Sequence, residues 1–335
     1  MKRKTNLLIA CLVVVLLFSA CANGSTSKNK PVKAIFADAG WDSIRFHNAV
    51  ASYIGEAAYN LETEQISGTT PITYNGLIKG DISVYMEVWV DNLPTYADDV
   101  AEGKFKELGI NFDDNKQGLY VPAYVINGDA ERGIEPMAPD LKTVEDLKNY
   151  SDVFVDPDET SKGRIYGAIS GWEVDTVMRN KYEFYGLDEN YIYFDPGSES
   201  ASIAAIASAY QKGEPIVSYH WDPTWLTGKY DLIILEDAPY DKEKYPLGQT
   251  ECPSMDITIC SSNDLYEAAP EYCEFLSKYR TSSALTAEAL SYIQDNNASL
   301  EETAVWFLKE HVELVSQWLP DDKAELVRAK LSEEG

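Results

Sequence analysis

The sequence predicts an α/β fold with two lobes, each built on a mostly parallel β-sheet that is flanked by helices. Short apolar runs typical of buried strands alternate with segments whose apolar residues recur at helical spacing. About 300 residues follow an N-terminal leader, enough for two lobes of ordinary domain size. With 45% hydrophobic and 12% aromatic residues, the composition is that of a well-packed globular protein rather than a disordered one.

The N-terminal segment predicts a leader and a tether that stand outside the fold. The chain starts Met1-Lys2-Arg3-Lys4 and runs apolar up to Cys21, the order of a secretory signal peptide over 1–20. Phe18-Ser19-Ala20-Cys21 resembles the bacterial lipobox, although Phe18 stands where Leu is usual, and this resemblance implies that Cys21 carries lipid. Residues 21–30 are polar and are predicted to form a flexible tether. We therefore expect a protein that is lipid-anchored at the extracytoplasmic face of the cell membrane.

Charge and cysteine content narrow the range of partners. The formal net charge is −27, which argues against nucleic acid and anionic lipid as binding partners. Beyond the leader, Cys252, Cys260 and Cys273 could form one disulfide outside the cytoplasm and leave one thiol. Their spacing fits no metal motif, and the chain has three histidines, so we expect neither a metal site nor a cofactor.

The first lobe is predicted to begin with residues 31–124. An apolar run over 32–39 predicts a strand, and a helical pattern starts at Asp42, directly after Gly40 and Trp41. The other elements predicted here are strands over 60–67 and 81–89 and helices over 70–80 and 94–105. This alternation favours a parallel sheet with covered faces.

The second lobe is predicted over 125–255, and an extended run at 118–127 leads into it. Its predicted helices cover 143–150, 174–185 and 200–212, and its predicted strands cover 153–155, 163–169, 191–194, 215–219 and 230–235. The chain is then expected to return to the first lobe over 256–335. That return starts with a strand at 255–260 and continues as helices over 264–280, 283–295, 299–319 and from 321 onward.

Four tryptophans stand where a predicted strand gives way to a turn or a helix. They are Trp41 and Trp89 in the first lobe and Trp172 and Trp221 in the second. In open α/β folds such points converge on the crevice where ligands bind, so we expect these rings to form a box across a cleft. Ring faces carry negative potential, which suits a cation that cannot donate hydrogen bonds, such as a methylated ammonium.

A second anchor is expected beside the rings. Four cation–π contacts supply roughly 4–8 kcal/mol, whereas micromolar binding needs about 8 kcal/mol. Free backbone N–H groups at a helix start can hold a ligand carboxylate, and such starts are predicted at Glu173-Val174 and at Asp42. Acidic side chains near the same points would instead favour a positively charged ligand such as choline: Asp42, Glu87, Glu173 and Asp222. Each of these acids also fits a plain role as a helix cap or first-turn charge.

Local patterns around these residues resemble the substrate-binding proteins of ABC transporters for glycine betaine, proline betaine and choline. Residues 38–42, DAGWD, are similar to the opening strand and turn of the choline and betaine binders. Residues 80–89, GDISVYMEVW, are similar to their "GDIDVY…W" stretch, and residues 213–223, GEPIVSYHWDP, to their "G-x-P-(I/V)-V…W-x-P" stretch. Gly171-Trp172 stands where betaine-binding members carry a further ring. The resemblance covers about residues 32–280.

The resemblance implies a two-lobed periplasmic-binding-protein fold of type II that closes around an aromatic box. It implies delivery of the ligand to the permease and ATPase subunits of an importer, and no catalysis. It assigns Trp89, Trp172 and Trp221 to the box, and it places Trp41 at the position of a ring found in choline binders.

Two departures from the family pattern leave the ligand open within the class. Enteric betaine binders carry a His shortly after the first-lobe tryptophan, whereas residues 90–93 of this chain read VDNL. Choline binders carry an Asp two residues after their first tryptophan, and this chain has Ser43 there, with the acid at Asp42. Glycine betaine is the first expectation, and choline, carnitine and proline betaine are the alternatives.

An enzyme and an amino-acid receptor are the other classes to weigh. The nearest match to an esterase elbow, GAISG at 167–171, has the wrong spacing, and no phosphate-binding glycine motif is present. An amino-acid site normally needs an Arg for the carboxylate, and Arg45 and Arg164 are less well placed than the four rings. The aromatic neighbours of His220 favour a structural role for it. The remaining tryptophans lie on helical segments and are assigned to packing: Trp225, Trp306 and Trp318.

Overall fold

Two five-stranded sheets organise the chain in a computed structural model, which describes residues 30–334. The predicted signal peptide over 1–20, the predicted lipidation site Cys21 and the tether up to residue 29 lie outside the described residues. No helix within 30–334 is both long enough and apolar enough to cross a membrane.

The ten strands follow in chain order. They are β1 (Val32–Asp38), β2 (Leu61–Ser67), β3 (Val84–Trp89), β4 (Lys106–Phe112), β5 (Lys116–Pro122), β6 (Gly163–Tyr166), β7 (Tyr191–Phe194), β8 (Ser218–Asp222), β9 (Leu232–Ile234) and β10 (Ile257–Ser261). One sheet has the order β2-β1-β3-β10-β4, and the other has the order β7-β6-β8-β5-β9.

Helices flank both sheets. They are α1 (Asp42–Tyr59), α2 (Thr70–Lys79), α3 (Tyr96–Ala101), α4 (Ala123–Asn127), α5 (Glu173–Phe184), α6 (Glu199–Lys212), α7 (Trp225–Lys229), α8 (Asn263–Ala268), α9 (Pro270–Lys278), α10 (Ser283–Asn296), α11 (Leu300–Glu310), α12 (Val312–Trp318) and α13 (Asp321–Glu333). The predicted α/β class, with two sheets and flanking helices, is confirmed.

Parallel and antiparallel pairs divide each sheet. Strand β1 runs parallel to β3, and β6 runs parallel to β7 and β8. In contrast, β10 is antiparallel to β3 and β4, and β5 is antiparallel to β8 and β9. The lobe boundaries stay a prediction, but β5 precedes residue 124 and hydrogen-bonds within the second sheet. The chain therefore leaves the first sheet before β5, earlier than the predicted boundary.

Several predicted elements differ from the structure. The helix expected over 94–105 shrinks to α3, and the unpredicted strand β4 follows it at the sheet edge, where its first residues are exposed and carry little hydrophobic pattern. The run 118–127 is extended only as far as Pro122, which lacks the N–H needed to continue a ladder, and α4 follows. The strand expected over 215–219 lies three residues later, as β8. Residues 153–155 contribute only an isolated bridge, from Val155 to Gly163.

The N-termini of α1 and α6 meet, because the Asp42 N–H donates to the Glu199 carboxyl at 2.6 Å. Helix α1 buries an apolar stripe that includes Ile44, Val50 and Ile54, and its contacts with α10, α11 and α13 fix it on the first lobe. Helix α6 begins where the Ser198 hydroxyl accepts a hydrogen bond from the Ala201 N–H at 3.2 Å. Its buried face packs in a cluster with Leu226 of α7.

Candidate functional site

The four tryptophans singled out in the sequence line one cavity, to which both lobes contribute. Trp41 follows β1, Trp89 ends β3, Trp172 precedes α5 and Trp221 lies in β8. The cavity is partly open to solvent. Small-molecule sites are typically concave and lined mostly by apolar groups, as this cavity is. All four residues lie around this cavity, and their role as a ligand-binding box stays a prediction.

Three of the rings form a continuous wall across the lobes. The Trp172 ring meets the Trp41 ring edge-on, with centroids 5.6 Å apart, and meets the Trp221 ring edge-on at 4.9 Å. Tyr219 extends this wall by stacking on Trp221 at 5.8 Å. Trp89 stands apart and packs against Phe112 at 6.3 Å. Edge-to-face contact is a favourable geometry for aromatic pairs, so these rings hold one another in place.

The turns before Trp41 and Trp172 have the same backbone design. Gly40 has φ +102° and Gly171 has φ +93°, values that side-chain-bearing residues rarely adopt. At Gly171 an added Cβ would also approach the Thr69 side chain to 2.7 Å. Each glycine is followed by a tryptophan at the N-cap position of a helix, and its side chain makes no capping hydrogen bond. Each ring therefore lies at the N-terminus of a helix.

The start of α5 brings unused backbone donors to the cavity. Glu173 and Val174 both line it. In the described part of the chain, neither backbone N–H has a hydrogen-bond acceptor, whereas the next N–H, of Asp175, donates to the Trp172 carbonyl at 3.1 Å. Such N–H groups and the helix dipole favour an anionic group. Partial burial raises the pKa of the Glu173 carboxyl.

The start of α1 differs, because protein groups already occupy it. Asp42 is not among the residues that line the cavity. Its carboxylate accepts a hydrogen bond from Arg45 at 3.0 Å, and its backbone N–H donates to the Glu199 carboxyl of the second lobe at 2.6 Å. The structure therefore does not bring the predicted site residue Asp42 to the space between the rings.

Glu87, noted in the sequence only as an acid near the site, holds Trp41 in place. The Trp41 indole N–H donates to Glu87 Oε2 at 2.5 Å, and the Ser43 hydroxyl lies 2.9 Å from both Glu87 oxygens. The Glu87 carboxyl is fully buried, and burial raises its pKa to about 8. The hydrogen bonds from Trp41 and Ser43 lower the pKa, but by less than burial raises it. Every residue of β3 before Trp89 is buried, so no inward–outward alternation along the strand singles out Glu87.

Gln117 and Tyr219 were also missed as parts of the cavity wall. Gln117 lies on β5 opposite Trp221, and the Tyr219 hydroxyl donates to Gln117 Oε1 at 2.9 Å. Their proximity depends on the register of β5 against β8, which no local sequence pattern encodes.

The remaining candidates lie in packing positions. His220 is buried, its Nε2 lies 2.9 Å from the Thr224 hydroxyl, and burial lowers its pKa to about 3. Trp225 packs on the α6–α7 cluster, Trp306 stacks on Tyr292 and Trp318 is buried. Cys252, Cys260 and Cys273 are free thiols. Over residues 30–334, no group of three or more His, Cys, Asp or Glu side chains is placed to hold a metal ion.

Comparison with known proteins gives a family match over most of the chain. Residues 33–310 match the family model described as the substrate binding domain of the ABC-type glycine betaine transport system. A curated relative, the glycine betaine/carnitine transport binding protein of Listeria monocytogenes, is 24% identical over 154 residues, which are 46% of this chain. That match spans about half of the relative, 48% of its length.

Solved structures share the fold. The glycine betaine/L-proline-binding protein of Borrelia burgdorferi is 22% identical with a TM-score of 0.70, over 88% of this chain and 99% of that one. A choline binding protein of an ABC transporter, in complex with choline, is 23% identical with a TM-score of 0.69, over 89% of this chain and 98% of that one. A closed lactococcal OpuAC complex with glycine betaine is 20% identical with a TM-score of 0.68, over 86% of this chain and 100% of that one. These similarities show the two-lobed periplasmic-binding-protein fold of type II.

Proposed function

The chain belongs to the family of substrate-binding domains of ABC-type glycine betaine transport systems, and from this premise we propose that it captures glycine betaine between its lobes. The quaternary ammonium enters the aromatic box of Trp41, Trp89, Trp172 and Trp221, and the loaded protein delivers the ligand to the permease and ATPase subunits of an importer. No reaction is catalysed on the ligand.

The observation that carries this proposal is that aromatic rings and free backbone N–H groups line the same cavity. Tryptophan rings from both lobes line it, and the α5 start adds the free N–H groups of Glu173 and Val174. Rings suit a methylated ammonium, and helix-start N–H groups suit a carboxylate. Glycine betaine carries both groups in one small molecule.

Choline is the second candidate, supported by one acid on the cavity wall. Glu173 lines the cavity, so its carboxyl could accept a hydrogen bond from the choline hydroxyl. Glycine betaine is preferred because Asp42, the acid at the other predicted helix start, is paired with Arg45 outside the cavity wall. Carnitine and proline betaine carry the same two groups as glycine betaine and stay alternatives within the class.

The amino-acid alternative is weaker, because both arginines considered for it are engaged elsewhere. Arg45 pairs with Asp38 and Asp42, and Arg164 pairs with Asp156 and Asp158. Neither arginine lines the ring cavity.

The family role supports a location outside the cytoplasm. We propose that Cys21 carries lipid and that the tether holds the folded body at the extracytoplasmic face of the membrane. Mass spectrometry of the membrane-extracted protein tests this placement, and an unmodified Cys21 would contradict it.

The ligand assignment is tested by titrating the purified protein with glycine betaine, choline, carnitine and proline while tryptophan fluorescence is recorded. We expect a saturable change with glycine betaine and no binding by Trp221→Ala, because that variant loses a ring face and the surface on which Tyr219 stacks. Trp306→Ala, which removes a ring stacked on Tyr292 outside the cavity, should bind normally. Normal binding by Trp221→Ala would overturn the aromatic box.

A further inference from the structure

Gln117 carries a hydrogen-bond donor that the protein itself does not use. Its side chain lies on the face of the second sheet that Trp221 shares, because the two residues are direct cross-strand partners. Gln117 is 1% exposed, and its Nε2 has no hydrogen-bond partner. Leaving a buried amide donor unpaired is costly, so a buried donor of this kind calls for an explanation.

Tyr219 determines which end of the amide stays free. Its hydroxyl donates to Gln117 Oε1 at 2.9 Å, and its ring stacks on Trp221, so the hydroxyl, the amide and the indole form one connected unit. With Oε1 occupied, Nε2 is the group left to interact with a ligand.

Two other polar side chains of the cavity wall already have partners. The Tyr85 hydroxyl lies 3.3 Å from the Thr73 hydroxyl, and Asn92 Oδ1 accepts from the Tyr245 hydroxyl at 2.5 Å. Among the cavity-lining residues within 30–334, Gln117 alone has a buried side-chain N or O atom without a partner.

We propose that Gln117 Nε2 donates a hydrogen bond to the carboxylate of the bound ligand and so favours a zwitterion over a plain ammonium cation. The inference rests on the proposed function of the cavity and adds a specificity-determining side chain to it. A carboxylate has acceptor capacity for several donors, so this bond can act together with the N–H groups of Glu173 and Val174.

Gln117 also borders a second cavity, on the side of Lys181 and Cys252. There the Lys181 ammonium is already paired with Asp237 and with the Thr250 carbonyl. A donor directed to that side would not affect ligand binding between the rings, which gives the test a clear alternative outcome.

The test compares two probes by calorimetry: glycine betaine, and tetramethylammonium, which has the cation but no acceptor. Gln117→Glu keeps an oxygen for the Tyr219 hydroxyl and replaces the donor with an acidic group. We expect it to weaken glycine betaine binding about ten- to a hundredfold, the range for losing one hydrogen bond to a charged group, and not to weaken tetramethylammonium binding, because an added carboxylate attracts the cation. Gln117→Met, which removes the donor without adding charge, should weaken glycine betaine binding about tenfold and leave tetramethylammonium binding within about twofold. Gln211→Glu on the exposed part of α6 is the matched control, and thermal unfolding verifies that each variant folds.

Each other outcome has a distinct meaning. Equal losses for both probes would make Gln117 a structural residue, and unchanged glycine betaine binding would place its donor in the second cavity; either result overturns the inference while the proposed function stands. A wild-type protein that binds neither probe would overturn the proposed function and this inference together.

Discussion

The two glycine–tryptophan turns of the molecule look alike in sequence but are stabilised in opposite ways. Gly40-Trp41-Asp42 and Gly171-Trp172-Glu173 each pass through a left-handed glycine, place a ring at the cavity and open a helix with an acidic residue. Two buried carboxyl groups fix the first turn, since Glu87 binds the Trp41 indole and Glu199 binds the Asp42 N–H. Ring contacts fix the second turn, through Trp41 on one side and Trp221 on the other.

This difference assigns different tasks to two similar helix starts. Glu199 reaches the α1 start from the second lobe, so that N-terminus already holds a carboxyl group and joins the lobes. The α5 start holds no protein carboxyl in the described chain, and it lines the cavity. Of the two starts predicted to hold a ligand carboxylate, the geometry favours the one at Glu173-Val174. A shared motif thus predicts a shared backbone shape, while long-range partners decide its use.

The first prediction, with the largest expected effect, concerns Glu87 beneath the first turn. Its pKa is raised to about 8 in the folded protein, whereas an unfolded Glu titrates near 4.3. Between these values the folded state holds a proton that the unfolded state lacks, so this group's contribution to stability is present below about pH 4.3 and is lost as pH rises to about 8. The total loss amounts to several kcal/mol, since each pKa unit corresponds to about 1.4 kcal/mol.

Urea unfolding of the wild type and of Glu87→Gln at pH 4.5, 6.5 and 8.5 measures this loss. Gln keeps an oxygen for the Trp41 indole and cannot ionise, so the variant should gain stability over the wild type as the pH increases. Glu325→Gln, at an exposed position of α13, controls for the change of net charge. A constant difference between Glu87→Gln and wild type across the three pH values would contradict the buried, protonated state of Glu87.

The second prediction compares the contributions of Trp172 and Trp41 to ligand binding. Trp172→Ala should weaken glycine betaine binding at least a hundredfold, because it removes a desolvated cation–π contact of ~2 kcal/mol and edge contacts with two neighbouring rings at ~0.5–1.5 kcal/mol each. Trp41→Ala removes a cation–π contact but only one such edge contact, so its loss of affinity should be about three- to tenfold smaller. Calorimetric titration of both variants gives the ratio of their dissociation constants for glycine betaine. If Trp41→Ala is the more damaging, the cross-lobe wall does not depend on Trp172 as its centre.

Features encoded over a few residues could be predicted from the sequence, and features that depend on distant partners could not. The helices after Trp41 and Trp172 were placed nearly correctly, because a glycine, a strand end and a helical apolar pattern occur together. The cavity role of Gln117 depends on the pairing of β5 with β8, two strands far apart in the chain, and the boundary of β8 itself was predicted three residues early. Glu87 was noticed as an acid near the site, but its burial against Trp41 is a tertiary property.

The third prediction, with the smallest expected effect, concerns the carboxyl that joins the lobes at the first turn. Glu199 is 5% exposed, and its pKa is raised well above the ordinary range by burial first and by the nearby Asp42 carboxylate second, which favours the protonated form in this closed contact. A neutral hydrogen bond contributes about 1 kcal/mol, so Glu199→Ala should weaken glycine betaine binding about fivefold by loosening the lobe contact. Glu199→Gln keeps a neutral acceptor for the Asp42 N–H and should bind as the wild type does. Calorimetry at pH 6 measures the glycine betaine affinity of both variants. Equal losses of affinity would mean that packing around the side chain, rather than its bond to α1, joins the lobes here. The contrast between the two turns would then rest on Glu87 alone.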